Sequence, residues 1–294
     1  MVCFVILHYM AIEETILCVN SIESNVVGEK KIIIVDNASP NNTFKNLKKY
    51  YADSADIDIL ATEKNLGFAR GNNIGYKYAV KKYDPHFIVV MNNDTEVKQS
   101  DFISLIEKSF DQHKYFIMGP DIYSTKNNYH QNPQTRKIPS KEELKKNCKR
   151  LWIKDKLNIL LILKWKANEL IFKKNKTGKK VSKSLEYIDS VVVNPLLHGS
   201  CYIFSRLFLE THSEECFYDK TFMYMEAEIL YYLAIKAGEK MIYNPEIKID
   251  HHEDVATDAE FKKQYKKSIF SIKCLLKSNR AFLELMEQTE KSYL

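Results

Sequence analysis

Cys3, Cys18, Cys148, Cys201, Cys216 and Cys274 are scattered, and no CxxC pair occurs. That spacing argues against a zinc site and against a secreted disulfide framework; reduced, mostly buried thiols are expected instead. No apolar run approaches the roughly 18–20 residues of a membrane span. The opening run, Val2-Cys3-Phe4-Val5-Ile6-Leu7, is too short for a signal peptide and lacks its charged n-region. A soluble or peripheral cytoplasmic protein is the expectation. Positive charge is only slightly in excess, +6 over 294 residues. Most of it lies between Arg136 and Lys183, which predicts a local basic surface and no nucleic-acid partner. A Gly-rich, Arg/Lys-bearing phosphate loop is also missing after the first apolar run, where His8-Tyr9-Met10-Ala11 stands. That speaks against a nucleotidyltransferase.

What is present is an ordinary globular composition, 45% hydrophobic and 28% charged, in a chain long enough to bury a sizeable core. Short β-branched runs alternate with helical periodicity. Val2–Leu7 reads as a strand and Ala11–Ile22 as a helix. Lys31–Val35 is a strand, Thr43–Tyr51 a helix and Ile57–Ala61 a strand. The polar, glycine-punctuated stretch Glu63–Asn73 leads into a helix over about Ile74–Lys82, and Phe87–Met91 is a strand. Phe102–Gln112 reads as a helix, Phe116-Ile117-Met118 as a short strand and Gly119-Pro120-Asp121 as a turn. Alternation of this kind predicts an α/β fold with a mostly parallel central sheet. Polar groups then gather along one sheet edge: His8-Tyr9, Asp36-Asn37, the Asn65 segment and Asn93-Asp94. Such an edge forms a nucleotide-sized cleft. Asn92-Asn93-Asp94 offers oxygen ligands for a hard cation, Mg²⁺ or Mn²⁺.

These residues resemble the family 2 glycosyltransferases of GT-A fold. Val35-Asp36-Asn37-Ala38-Ser39 is similar to the family's nucleotide-binding strand end. Asn65-Leu66-Gly67-Phe68-Ala69-Arg70-Gly71-Asn72-Asn73 is similar to a signature of its bacterial rhamnosyltransferase-like branch. Asn92-Asn93-Asp94 looks like the Asp-x-Asp metal motif with an amide in place of the first acid. The resemblance implies donor contacts from His8, Tyr9, Asp36, Asn37, Asn65, Gly67, Arg70, Gly71, Asn72 and Asn93. It implies Asp94 as direct metal ligand, with His251 (His252 second) after the last strand, Tyr243–His252. On the acceptor side it implies His198, Gly199 and Ser200, although a packed, satisfied His198 is the plainer reading. Tyr218-Asp219-Lys220-Thr221-Phe222 precedes the family's catalytic helix, here expected from Tyr224 to Lys236 and stopped by Gly238.

The family places Glu-Asp at the start of that helix, its Asp being the general base, and Ala227 stands there. A methyl group accepts no proton. Three explanations remain. Glu226 or Glu228 serves instead, the chain is a non-catalytic nucleotide-sugar binding relative, or Ala227 replaces a natural Asp. The last is favoured, because Met225-Glu226 and Glu228-Ile229-Leu230 with Asp between them would be an undamaged family motif.

The expected organisation is a donor half (1–125), a basic helical insert (126–185), an acceptor and catalytic half (186–258) and a helical tail (259–294). The insert, with its apolar centre Leu151–Trp165, is read either as a helical hairpin on the core or as a contact to an anionic membrane surface. The tail is read as a surface helix or a homodimer helix. By resemblance, the chain is an inverting transferase. It would move sugar from a nucleotide-diphosphate donor, dTDP-rhamnose or a UDP-hexose, to a saccharide or lipid-linked acceptor in bacterial polysaccharide synthesis.

Overall fold

The computed structural model describes residues 1–157, 187–253 and 264–291. The first half alternates strands β1 (Val2–His8), β2 (Lys30–Asp36), β3 (Ile57–Ala61) and β4 (Phe87–Asn92) with helices α1 (Ile12–Asn25), α2 (Thr43–Tyr50) and α3 (Gly67–Tyr83). These strands are parallel, in spatial order β3-β2-β1-β4. The sheet continues through β9 (Cys201–Ser205), β6 (Ile117–Ser124), β10 (Met241–His251) and β5 (Thr95–Glu96). Two short strands, β7 (Tyr129–His130) and β8 (Val192–Val193), pair with β6 and β10.

The apolar runs sort by parity, because successive strand side chains point to opposite faces. Val2, Phe4 and Ile6 pack with Cys18, Val19 and Ile22 of α1 and with Phe102 and Ile106 of α4 (Phe102–His113). Cys3, Val5, Ile33 and Val35 pack on the other face with Ala69, Tyr76 and Ala79 of α3. Both faces are therefore covered, which is why the parallel strands read as continuous apolar runs.

In four places the structure departs from the sequence expectation. First, α3 begins at Gly67, so Gly67–Asn73 is its first two turns rather than a leader. Second, Gly119-Pro120-Asp121 lies inside β6; opposite it β10 shifts register between Asn244 and Lys248, where Pro120 has no N–H to give the ladder. Third, the apolar, β-branched run Ile188–Val193 predicts a strand, and only Val192–Val193 is one. The α/β sheet takes in β9 antiparallel to both β4 and β6, and a short helix α6 (Arg206–Thr211) follows it. Fourth, the tail helix α8 (Gln264–Lys291) is no mere surface helix. Leu276, Phe282 and Met286 are buried, and Phe282 and Met286 cluster with Leu144 of α5 (Lys141–Lys156) and with Ile229 and Tyr232 of helix α7 (Glu226–Ala237).

Of the basic insert, α5 is described and carries a full capping box, Ser140 with Glu143. Residues 158–185 of the insert, including the apolar stretch beyond Leu157, lie outside the described residues. No helix among the described residues is long and apolar enough to cross a membrane.

Candidate active site

A cleft of about 500 Å³ opens at the carboxyl ends of β1, β2 and β4. In-register pairing of His8 with Asp36 and of Leu7 with Asn92 brings those ends level. Tyr9, Asn37, Asn65, Gly67, Asn93, Asp94, His198, Gly199, Ser200, Glu226, Ala227, Glu228 and His251 all line this one cleft. Residues more than two hundred positions apart thus meet, as the sequence reading required.

Several predicted donor contacts turn out to be framework. His8 is fully buried beneath the cleft, its ring nitrogens 2.7 Å from Thr15 Oγ1 and 2.8 Å from Thr43 Oγ1. Burial lowers its pKa to about 4 against the opposing pull of Asp36, so it is a neutral packing residue. Arg70 is exposed and outside the lining, its Nε donating to Leu66 O. Gly71 lets α3 sit against β1, where a Cβ would come within 2.6 Å of Leu7. Asn72 donates to Phe68 O within its own helix. None of these three reaches the cleft, because the helix that begins at Gly67 turns them onto the sheet or into solvent. Asp36 lies buried just behind the lining; Oδ1 accepts from Ser39 N at 2.9 Å, while Oδ2 makes no hydrogen bond.

Asn37 and Asn65 form a clasp. Asn37 Nδ2 donates to Asn65 Oδ1 and to Gly67 O, each at 3.1 Å, and Asn37 Oδ1 accepts from Leu66 N at 2.8 Å. Gly67 has φ +80°, and a Cβ there would stand 2.1 Å from Phe222 O. Only glycine fits that close approach. Its neighbour Phe68 donates N–H to the same Phe222 oxygen at 2.7 Å, docking the donor-side helix onto the loop before α7.

The cation candidates converge. Asp94 Oδ1 is buried and makes no well-directed hydrogen bond, yet it faces His251 Nε2 at 3.2 Å. His251 Nδ1 lies 2.7 Å from Gln131 Oε1, and Gln131 Nε2 in turn donates to Glu253 at 2.7 Å. That chain fixes the amide orientation, so Nδ1 carries the ring proton and Nε2 presents a lone pair toward Asp94. A carboxylate oxygen facing an imidazole lone pair suits a divalent cation. Burial raises the Asp94 pKa, while an Nε2–H on His251, the form with no cation between the two groups, lowers it and gives the net downward direction, so the carboxylate stays charged. Among the described residues no third His, Cys, Asp or Glu completes the set. Substrate oxygens would have to fill the remaining positions. Asn93 donates to Thr15 Oγ1 at 3.0 Å and faces the same corner.

His198 lines the cleft rather than the core. Its Nδ1 accepts from Ser200 N at 3.2 Å and lies 3.0 Å from Ser200 Oγ, leaving Nε2 to carry the proton. Burial, with His251 and Arg136 nearby, lowers its pKa to about 3, so it acts as a neutral donor. At Gly199 an added Cβ would meet nothing within 4 Å.

At the opposite wall, Tyr224 (φ 72°) and Met225 (φ 73°) are consecutive left-handed residues immediately before α7. Each such conformation costs a non-glycine residue on the order of 1 kcal/mol. The turn leaves Glu226 on the cleft, with Oε1 buried and without a hydrogen-bond partner. Burial and then Glu228 raise the Glu226 pKa to about 7, against hydrogen bonds from Thr221 and the local backbone. Glu228 is engaged elsewhere, 3.0 Å from Arg136 Nη1.

The family model described as Glycosyl transferase family 2 matches residues 3–167. The chain belongs to this family. Agl10 of Haloferax volcanii, a low-salt glycan biosynthesis hexosyltransferase, is 25% identical over 120 residues, 40% of this chain and 35% of that protein. Among solved structures, S. aureus TarS 1-349 in complex with UDP is 12% identical with TM-score 0.51, over 85% of this chain and 60% of that one. GalNAc-T7 with UDP, GalNAc and Mn²⁺ is 12% identical with TM-score 0.58, over 86% of this chain and 43% of that one. Each match thus spans less than two thirds of the relative. These likenesses show the fold, which is GT-A.

Two residues of this family 2 site escaped the sequence reading. Gln131 sat in an unremarkable loop, and Arg136 read only as the start of a basic segment. Neither carries a local signal; the tertiary fold alone brings them to His251 and Glu228.

Proposed function

We propose that this chain transfers a sugar from a nucleotide-diphosphate donor to an acceptor hydroxyl, with Glu226 as the general base. The observation that carries the reading is the free, buried Glu226 oxygen on the same cleft as Asp94 and His251. A carboxyl raised to about 7 is poised to accept a proton near neutral pH. It takes the acceptor's hydroxyl proton as that oxygen attacks the anomeric carbon, the bond to the diphosphate breaks, and configuration inverts. His198 is a neutral donor for the departing phosphate. Asp94 and His251 would hold Mg²⁺ or Mn²⁺, which supplies charge neutralisation to the leaving group when bound. Support for the donor class comes from the UDP carried by TarS and by GalNAc-T7, and from the Mn²⁺ of the latter. The Asn65–Asn73 motif favours dTDP-rhamnose and the rhamnosyltransferase-like branch over a UDP-hexose. A lipid-linked saccharide at the cytoplasmic membrane face is the acceptor class we assign.

Ala227 favours a second reading, a nucleotide-sugar binder lacking its base. Calorimetric titration of UDP and dTDP, each with and without Mn²⁺, tests the donor site. Turnover of Glu226→Gln and Ala227→Asp then separates the readings. A Glu226 base predicts a fall of about 10²–10⁴-fold in the first and no comparable gain in the second. A base missing at 227 predicts the reverse, and no binding of either nucleotide ends both.

A further inference from the structure

The C-terminal helix α8 reaches the loop that precedes Glu226. Ser278 Oγ, fully buried, donates to Met223 O at 2.9 Å. Tyr224 OH and Ser271 Oγ lie 2.9 Å apart, and Phe222 meets Phe270 edge-on at 6.1 Å. Phe270 and Leu275 also line the cleft itself. From the other side the loop is held by the Phe68 N–H on Phe222 O. Between these clamps sit Tyr224 and Met225, both in the left-handed region that non-glycine residues avoid. A strained turn persists only where its surroundings over-determine it. Here the hydroxyls of α8 do so, and the residue that follows the turn lines the cleft and has a buried carboxyl oxygen without a hydrogen-bond partner.

We propose that Ser271 and Ser278 of the C-terminal helix are positioning residues of the active site, holding the Tyr224–Met225 turn so that Glu226 faces the acceptor. The inference rests on the reading of Glu226 as base and extends it to a segment beyond the 3–167 family match. The helix is then part of the catalytic wall rather than an appendage. Releasing either hydroxyl lets the turn relax and the carboxyl swing toward solvent, while the nucleotide site at β1, β2 and β4 is untouched.

The test uses the full chain and the variants Ser271→Ala, Tyr224→Phe and Ser278→Ala, with Ser271→Thr as the conservative rescue. Carboxyl titration by NMR on chain labelled with [δ-¹³C]glutamate, Glu226 being assigned through Glu226→Gln, needs no substrate. The expected result is that Glu226 titrates near pH 7 in the parent and in Ser271→Thr. In Ser271→Ala and Tyr224→Phe it moves toward an ordinary glutamate. Glu228, Arg136, Asp94, His198, His251, Tyr9 and Tyr224 are the other charged or titratable groups lining the cleft, and of these only Tyr224 is substituted. In turnover with UDP-glucose, UDP-GlcNAc or dTDP-rhamnose, kcat falls about 10–10²-fold with donor KM unchanged. An unmoved Glu226 titration in correctly folded Ser271→Ala and Tyr224→Phe overturns the proposal, whatever Ser278→Ala does to folding. If the parent binds neither UDP nor dTDP, the transferase reading falls instead, and the titration still decides the positioning.

Discussion

Asp94 and Glu226 are two buried carboxyls on one cleft, and their surroundings push them in opposite directions. Beside His251 the ionised form of Asp94 is favoured; burial, and then Glu228, favour the neutral form of Glu226. Such a split separates a cation ligand from a proton acceptor. Glu226 must be deprotonated to act, so kcat is expected to rise with pH through about 7, and a pH–rate profile checks it. Gln131→Leu unhooks His251 Nδ1 while leaving Asp94 and the imidazole, the proposed cation ligands, in place. Mn²⁺ affinity should fall about 10–100-fold, measured by titration, as for other partners of metal-bound histidine. Gly199→Ala adds a methyl into open space. Unfolding stability should stay within about 0.5 kcal/mol of the parent, while acceptor KM rises if acceptor passes over that turn. Urea denaturation with acceptor kinetics reads both.

At the scale of elements, the start of α3 ties the carboxyl edge of the sheet to the loop before α7. Gly67 and Phe68 pack directly on Phe222, and Asn73 Oδ1 accepts from the N–H groups of Cys216 and Phe217. Gly67→Ala combines a forbidden backbone angle with a clash against a carbonyl that cannot yield. A loss of at least about 2 kcal/mol is expected by urea denaturation, larger than an alanine in a helix's first turn would otherwise cause. The asparagine- and glycine-rich signature is therefore mainly a docking code between helix, sheet edge and loop. Sequence spacing marked the segment, but its helical geometry turns Arg70 outward and keeps Gly71 and Asn72 out of the cleft lining.

For the whole molecule, buried titratable groups oppose one another. Glu226 sits at about 7, above its ordinary 4.5, so its contribution to stability is complete below pH 4.5 and lost as pH rises through about 7. His8 and His198, lowered from 6.5 to about 4 and about 3, contribute stability that is present above pH 6.5 and lost as pH falls toward those values. Glu226→Gln removes the first effect alone. Its stability should exceed the parent's by about 1–3 kcal/mol at pH 8, and its decline on acidification from pH 7 should be steeper. Thermal melts across pH 4–8 measure both.

Residue order alone determined the alternation of strand and helix, the two-sided burial of β1, β2 and β4, and the gathering of polar strand ends into one cleft. Those features follow from periodicity and local propensity, which a linear pattern carries. Tertiary structure decided the rest. It made His8 a packing residue, because Thr15 and Thr43 close over it. It engaged Glu228 with Arg136, brought Gln131 behind His251, and turned a tail that read as a surface helix into the support of a strained turn. Each depends on which side chain from a distant segment arrives within about 3 Å. No local pattern encodes that distance, since it is set by how the helices settle on the sheet.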